Sequence, residues 1–186
     1  MSNSLGYTTQ NDLLLNNLMT YYKNPVYIDR MLKIITGEAA ISLRIVDWFA
    51  TNYAKKYYTL YDITDELTFR RFKVYVDYKL KLKAYSKRRF DPFCRWDRIT
   101  IPYKDGTYIE TTIGQLNFFK WALENNVIDY IEENYKEIEN DMNARNSTSK
   151  KIAINDNKTR KKREELSISA TKSIKKEKVE IVVNFN

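Results

Sequence analysis

Residues 98–126 read RITIPYKDGTYIETTIGQLNFFKWALENN, and this stretch decides the fold class. Ile99, Ile101 and Tyr103 recur at every second position, the period of a half-buried strand. Asp105-Gly106 supplies a tight turn, and Tyr108 to Thr112 returns, so residues 98–112 are predicted to form a β-hairpin. Pro102 has no N–H to give to a ladder and belongs at an edge or a non-bonded position. Thr112-Ile113-Gly114-Gln115 then has the spacing of a capping box. From there the period becomes helical to about Asn125, with Leu116, Phe119 and Leu123 facing inward. Strands feeding directly into a helix place the chain in the α+β class.

Working outward, Val127 to Met142 reads as a further helix. Ile128, Ile131, Tyr135 and Ile138 form its inner face, and Glu132, Glu133, Glu137 and Glu139 its acidic outer face. At Asn143 the composition shifts to Asn, Ser, Thr and Lys, and aromatic residues vanish until Phe185. Residues 143–178 are therefore expected to be a flexible basic tail. The closing segment 179–186, VEIVVNFN, is β-prone and is expected to add to a sheet edge, in this molecule or in a partner.

Towards the N-terminus, residues 72–84 alternate like a strand, yet Tyr75, Tyr78, Leu82 and Tyr85 also line one side of a helix. The length and the helix formers from Lys79 to Lys87 favour the helix. Glu38 to Lys56 is expected as a helix burying Ile41, Ile45, Trp48 and Phe49. Val26 to Ile35 reads as another, closed by Gly37, and residues 11–23 as a third that breaks at Asn24-Pro25. The expected architecture is one helix-dominated α+β domain over residues 1–142, with one hairpin near 98–112, followed by the tail.

Composition narrows the chemistry. The 186 residues contain no histidine and one cysteine, which removes imidazole bases, intramolecular disulfides and the usual zinc ligand sets. Four glycines leave no room for a glycine-rich phosphate loop, and none of the nucleotide-binding fingerprints occurs. No apolar run approaches a membrane span, and the first residues lack the pattern of a signal peptide. An intracellular setting is expected, with no membrane, small-molecule substrate, metal or cofactor indicated. Asp77-x-Lys79 resembles half of a metal-dependent nuclease site only if it lies on a strand, and it reads better as a solvated face.

The net charge of +8 is segregated. Residues 67–98 hold eleven basic and three acidic groups, residues 99–142 three and nine, and residues 143–186 twelve and five. Within the basic middle, residues 87–98 read KRRFDPFCRWDR. Guanidinium groups among aromatic rings suit a phosphate backbone with stackable bases, or a protein interface with an arginine–aromatic core. Lys87, Arg88, Arg89, Phe90, Phe93, Arg95, Trp96 and Arg98 are the candidate nucleic-acid contacts. The tail cluster Lys158, Arg160, Lys161, Lys162 and Arg163 joins them. Two other readings of the loop stay open: ion-pairing with the acidic face of residues 124–141, and simple solvation. Cys94 reads as a small buried hydrophobe.

Several segments carry a family resemblance. They are SLRIVDWF at 42–49, TNYAKK at 51–56, LKAYSK at 82–87, FDPFCR at 90–95, TTIGQLNFFKWA at 111–122 and KREELSISATK at 162–172. Together they resemble an uncharacterised protein family of nucleocytoplasmic large DNA viruses, the giant viruses. The resemblance implies a viral protein of the host cytoplasm, in the viral factory or packaged in the virion. The expected function is that of a non-enzymatic accessory protein binding DNA or RNA through the loop and tail. The alternative is a structural or adaptor protein that meets other viral proteins through the basic loop and the C-terminal strand.

Overall fold

Helix α6 (Ile113–Glu124) is the centre of the molecule, and its sequence gives the reason. Apolar side chains occupy most of its circumference, and only Lys120 and Glu124 reach water. Residues from Ile113 to Phe119 are all buried, as are Trp121, Ala122 and Leu123. Helices α1 (Gln10–Tyr21), α2 (Pro25–Thr36), α5 (Val74–Arg89) and α7 (Val127–Glu133) pack around it. The structure is a computed structural model and describes residues 9–64, 69–154 and 175–178.

The first two outer helices start on side-chain caps. Thr9 and Asp12 form a complete capping box on α1, and Asn24 accepts from the Val26 N–H with Pro25 in the first turn of α2. Gly37 closes α2 in the left-handed conformation at φ 79°. The next helical run begins at Ser42 rather than at Glu38, because Ser42 Oγ accepts from the Ile45 N–H. It passes from α3 (Leu43–Trp48) through a π turn (Phe49–Tyr53) into α4 (Ala54–Lys56). The wider turn shifts the phase of the helix, so Phe49, Ala50, Tyr53 and Ala54 are all buried. Trp48 stays at the margin, donating its Nε1–H to Asp141 at 3.1 Å.

The ambiguous stretch divides between its two readings. Strands β1 (Leu60–Thr64) and β2 (Phe69–Lys73) pair antiparallel, with Tyr61 opposite Phe72, and α5 starts at Val74 immediately afterwards. The fold therefore has a second hairpin where one was expected. From Val74 onward the helical reading holds, and Val74 and Tyr78 are buried on its inner side.

The expected hairpin forms from β3 (Arg98–Pro102) and β4 (Thr107–Thr112), joined by a 3-10 turn over Lys104–Gly106 with Gly106 at φ 70°. Pro102 ends the outer strand. Tyr103 Oη donates to Asp29 at 2.6 Å and Lys104 pairs with the same carboxylate, which fixes the hairpin to α2. Half of the expected capping box is present. Thr112 accepts from the Gln115 N–H, but the Gln115 side chain turns instead to the Pro92 carbonyl and the Thr111 hydroxyl.

Two features revise the expected tail. Helix α8 (Tyr135–Ile154) runs past the composition change at Asn143. Its base is anchored by buried Ile138 and Met142, and by Arg145 lying 5.4 Å over the Trp48 ring. Once a helix is nucleated on a packed base, polar residues extend it at little cost. The chain also returns to the hairpin, through β5 (Lys175–Lys178) on the free side of β4. The segment expected to make such a strand, residues 179–186, lies outside the described residues, as do residues 155–174. No helix among the described residues is long and apolar enough to cross a membrane.

Candidate nucleic-acid interface

The arginine–aromatic loop leaves α5 by a sharp break at Ser86, which stands at φ 61°, ψ 168°, a conformation tolerated mainly by glycine. The break separates the straight part of α5 from the single turn formed by Lys87, Arg88 and Arg89. Phe90 then plunges inward. It is 1 % exposed and packs edge-on against Trp121 at 5.6 Å, beside Phe118 and Tyr78. Asp91 Oδ1 accepts from the Phe93 N–H at 2.8 Å, an Asx turn that reverses the chain. Cys94 is buried as expected, its Sγ–H directed at the Arg88 carbonyl at 3.4 Å. It rests on Gly114, where any added Cβ would lie 2.8 Å from Cys94 Cβ.

The loop is therefore riveted to the first turn of α6 from beneath, and its charges face outward. Lys87, Arg88, Arg95, Trp96 and Arg98 are exposed, Trp96 by 66 %. Phe90 does not belong to the surface, and Phe93 is half-buried against the core. Phe90 is therefore a core ring, which removes it from the candidate surface contacts. Arg88 makes a bidentate pair with Asp97, at 2.6 and 2.9 Å, which lowers the Asp97 pKa and raises that of Arg88. Arg98 pairs with Glu110 at 3.0 Å across the hairpin. Arg89 donates to the Gln10 side-chain carbonyl at 3.3 Å. The acidic face expected to receive the loop is held by other cations. Arg30 binds Asp129 and Glu132, Lys120 binds Glu124, and Lys56 binds Asp141.

Around the loop lies a basic surface that residue-by-residue reading missed. Arg71 and Lys73 on β2, with Lys79 and Lys83 on α5, are exposed. Among the described residues Lys73, Lys79 and Lys83 make no ion pair. The signal was present in the net charge of residues 67–98, whose lysines lie along one strand and one helix that run into the loop. Lys158, Arg160, Lys161, Lys162 and Arg163 lie outside the described residues.

Beneath the loop, Asp47 and Asp91 share a half-buried position with Lys87 and Tyr78 nearby. Burial, then the neighbouring charge of Asp91, push the Asp47 carboxyl up to about 6, against the pull of Lys87. Burial likewise raises Asp91, and burial followed by the two carboxylates raises the Tyr78 phenol to about 12. Asp77 accepts from Trp121 Nε1–H at 2.6 Å and sits on a helix, so it does not share a face with Lys79. Among the described residues no three His, Cys, Asp or Glu side chains gather closely enough to hold a metal ion.

A family model described as a family of unknown function (DUF7197) matches residues 3–186. The chain belongs to that family. Separately, "Uncharacterized protein L507" of Acanthamoeba polyphaga mimivirus is 41 % identical over 146 residues, covering 75 % of this chain. The chain spans 56 % of that relative's length. The resemblance to an uncharacterised giant-virus protein family is thus borne out. No solved structure matches the chain.

Proposed function

We propose that this protein binds nucleic acid through the basic surface formed by β2, the outer side of α5 and the loop that follows, without catalysing a reaction on it. The observation that carries this reading is the set of exposed cations Arg71, Lys73, Lys79, Lys83, Lys87, Arg88, Arg95 and Arg98 along β2, α5 and the loop, together with the exposed ring of Trp96. Lysines without carboxylate partners are solvated by water and counterions, which a phosphate backbone displaces with a gain in entropy. Arg71, Arg88 and Arg98 have carboxylate partners, but exposed pairs of this kind contribute little and exchange readily for phosphate. An indole ring next to guanidinium groups is a stacking platform for an unpaired base.

The test is binding of the full chain to a labelled single-stranded oligonucleotide across a salt series. About 5–8 phosphate contacts, shared between this surface and the tail, are expected to lower affinity by a few orders of magnitude from low to moderate salt. The triple substitution Lys73→Ala, Lys79→Ala, Lys83→Ala is expected to reduce the salt slope by about 2–3 while leaving thermal stability unchanged. Affinity that stays flat with salt, or that ignores the triple substitution, would sink the proposal. Magnesium-dependent cleavage of the same oligonucleotide would overturn its non-enzymatic part.

A further inference from the structure

A cleft of about 450 Å³ opens between α1, α5 and α6, on Trp121 and Asn117 of the buried helix. Its size is that of a small-ligand site. Leu13 and Leu14 form one wall and Tyr85 the other, and Leu13 is 59 % exposed although it faces the cleft. Lys81, Arg89 and Lys120 reach its rim. Lys120 is matched by Glu124, whose carboxylate also lines the cleft, while Lys81 and Arg89 make no ion pair among the described residues, although Arg89 is near enough to Asp97 to help lower its pKa. The cleft therefore combines Leu13, Leu14 and the Tyr85 ring with amide side chains deeper in and two cations without direct ion pairs at its mouth.

The backbone gives an independent reason to read this as a built site. In an unbroken helix, residues 81 and 89 would be about 12 Å apart along the axis and about 80° apart around it. Beyond the break at Ser86, Arg89 lines the same cleft as Lys81, while Arg88 faces Asp97. Asn117 Nδ2 locks the turn by donating to the Arg89 carbonyl at 2.8 Å. A non-glycine residue held in that conformation is strained, and such strain concentrates at functional sites.

We infer that this cleft binds a nucleoside monophosphate unit, with the base in the slot against Tyr85 and the phosphate between Lys81 and Arg89. The unit is either a free nucleotide or the phosphorylated end of a strand. The inference deepens the nucleic-acid reading, and one set of titrations separates the two. The full chain is titrated with AMP, UMP and inorganic phosphate, and with one oligonucleotide carrying either a 5′-phosphate or a 5′-hydroxyl.

Nucleotide binding is expected to weaken about tenfold in Lys81→Ala and in Arg89→Ala, and to be unaffected by the Lys73, Lys79, Lys83 triple substitution. Ala84→Phe fills the cleft from an exposed position without removing a contact, and is expected to abolish nucleotide binding with the fold intact. A preference for the 5′-phosphorylated strand assigns the site to strand ends, and nucleotide binding without that preference assigns it to the free nucleotide. No nucleotide binding up to about 1 mM, phosphate binding as well as nucleotide, or binding unchanged in Ala84→Phe would each overturn the inference. Salt-dependent strand binding that survives any of those results leaves the surface reading in place.

Discussion

Gly114 shows how a single missing side chain positions a whole loop. Cys94 Cβ and Sγ and the Arg88 carbonyl occupy the space that a Cβ would need, the carbonyl at 3.1 Å. Gly114→Ala is therefore expected to destabilise the fold by about 1–3 kcal/mol, because backbone must move to admit the methyl group. A urea midpoint within error of the parent would show that the loop is not seated there. Asp47 permits a test of charge rather than packing. Its carboxyl, raised by burial and then by Asp91, holds its proton more tightly in the folded state than in the unfolded chain. The resulting penalty is absent below the ordinary value of 3.8, grows as pH rises towards about 6, and is complete above it. Asp47→Asn is expected to raise stability by about 1–2 kcal/mol near pH 7 and to leave it unchanged near pH 3.8. An equal gain at both pH values would rule out the charge as the cause.

At the scale of elements, Ser86 is the place where helical geometry yields. Glycine adopts its backbone conformation without steric penalty, so Ser86→Gly is expected to stabilise the protein by about 1 kcal/mol, less the entropy that glycine adds to the unfolded chain. A loss of stability would mean that the hydroxyl or Cβ contributes more than the strain costs. Elements whose boundaries are written in local chemistry were legible in the sequence. The 98–112 hairpin has Asp105-Gly106, α6 has Thr112, and α2 has Asn24-Pro25 and Gly37. The β1–β2 hairpin was not, because its connection through residues 65–68 reads DELT, with neither glycine nor asparagine to mark a turn. The passage from β2 into α5 has no side-chain cap at Lys73, so nothing local separates strand from helix there. Burial of Phe72 opposite Tyr61 decides it, and that pairing is tertiary. The candidate site was legible as charge but not as direction. Which rings of the loop face water depends on the Ser86 break and on the Cys94–Gly114 contact, and neither follows from spacing.

At the scale of the molecule, the basic and acidic segments of the sequence remain separate functions of the surface. The acids of α7 and α8 staple helices together through Arg30 and Lys56, while the lysines of β2 and α5 are left to solvent. The sheet is completed from the far end of the chain, since β5 covers the side of β4 that β3 does not. A chain ending at residue 174 would leave that side open, and exposed strand edges recruit other edges. Such a chain is expected to self-associate with increasing concentration in sedimentation, whereas the full chain does not. A truncated chain that stays monomeric would show that β5 has no protective role.

The position of β5 also sets a clock. Its partner β4 is synthesised roughly sixty residues earlier, so at the ordinary pace of translation about 3–12 s pass before the third strand can follow it out of the ribosome. Throughout that interval the nascent chain carries a two-stranded sheet with one side unfinished. In an infected cell producing many copies at once, neighbouring polysomes would present the same unfinished side to one another. Chaperone demand for this protein is thus expected to fall once β5 has emerged rather than during assembly of its core.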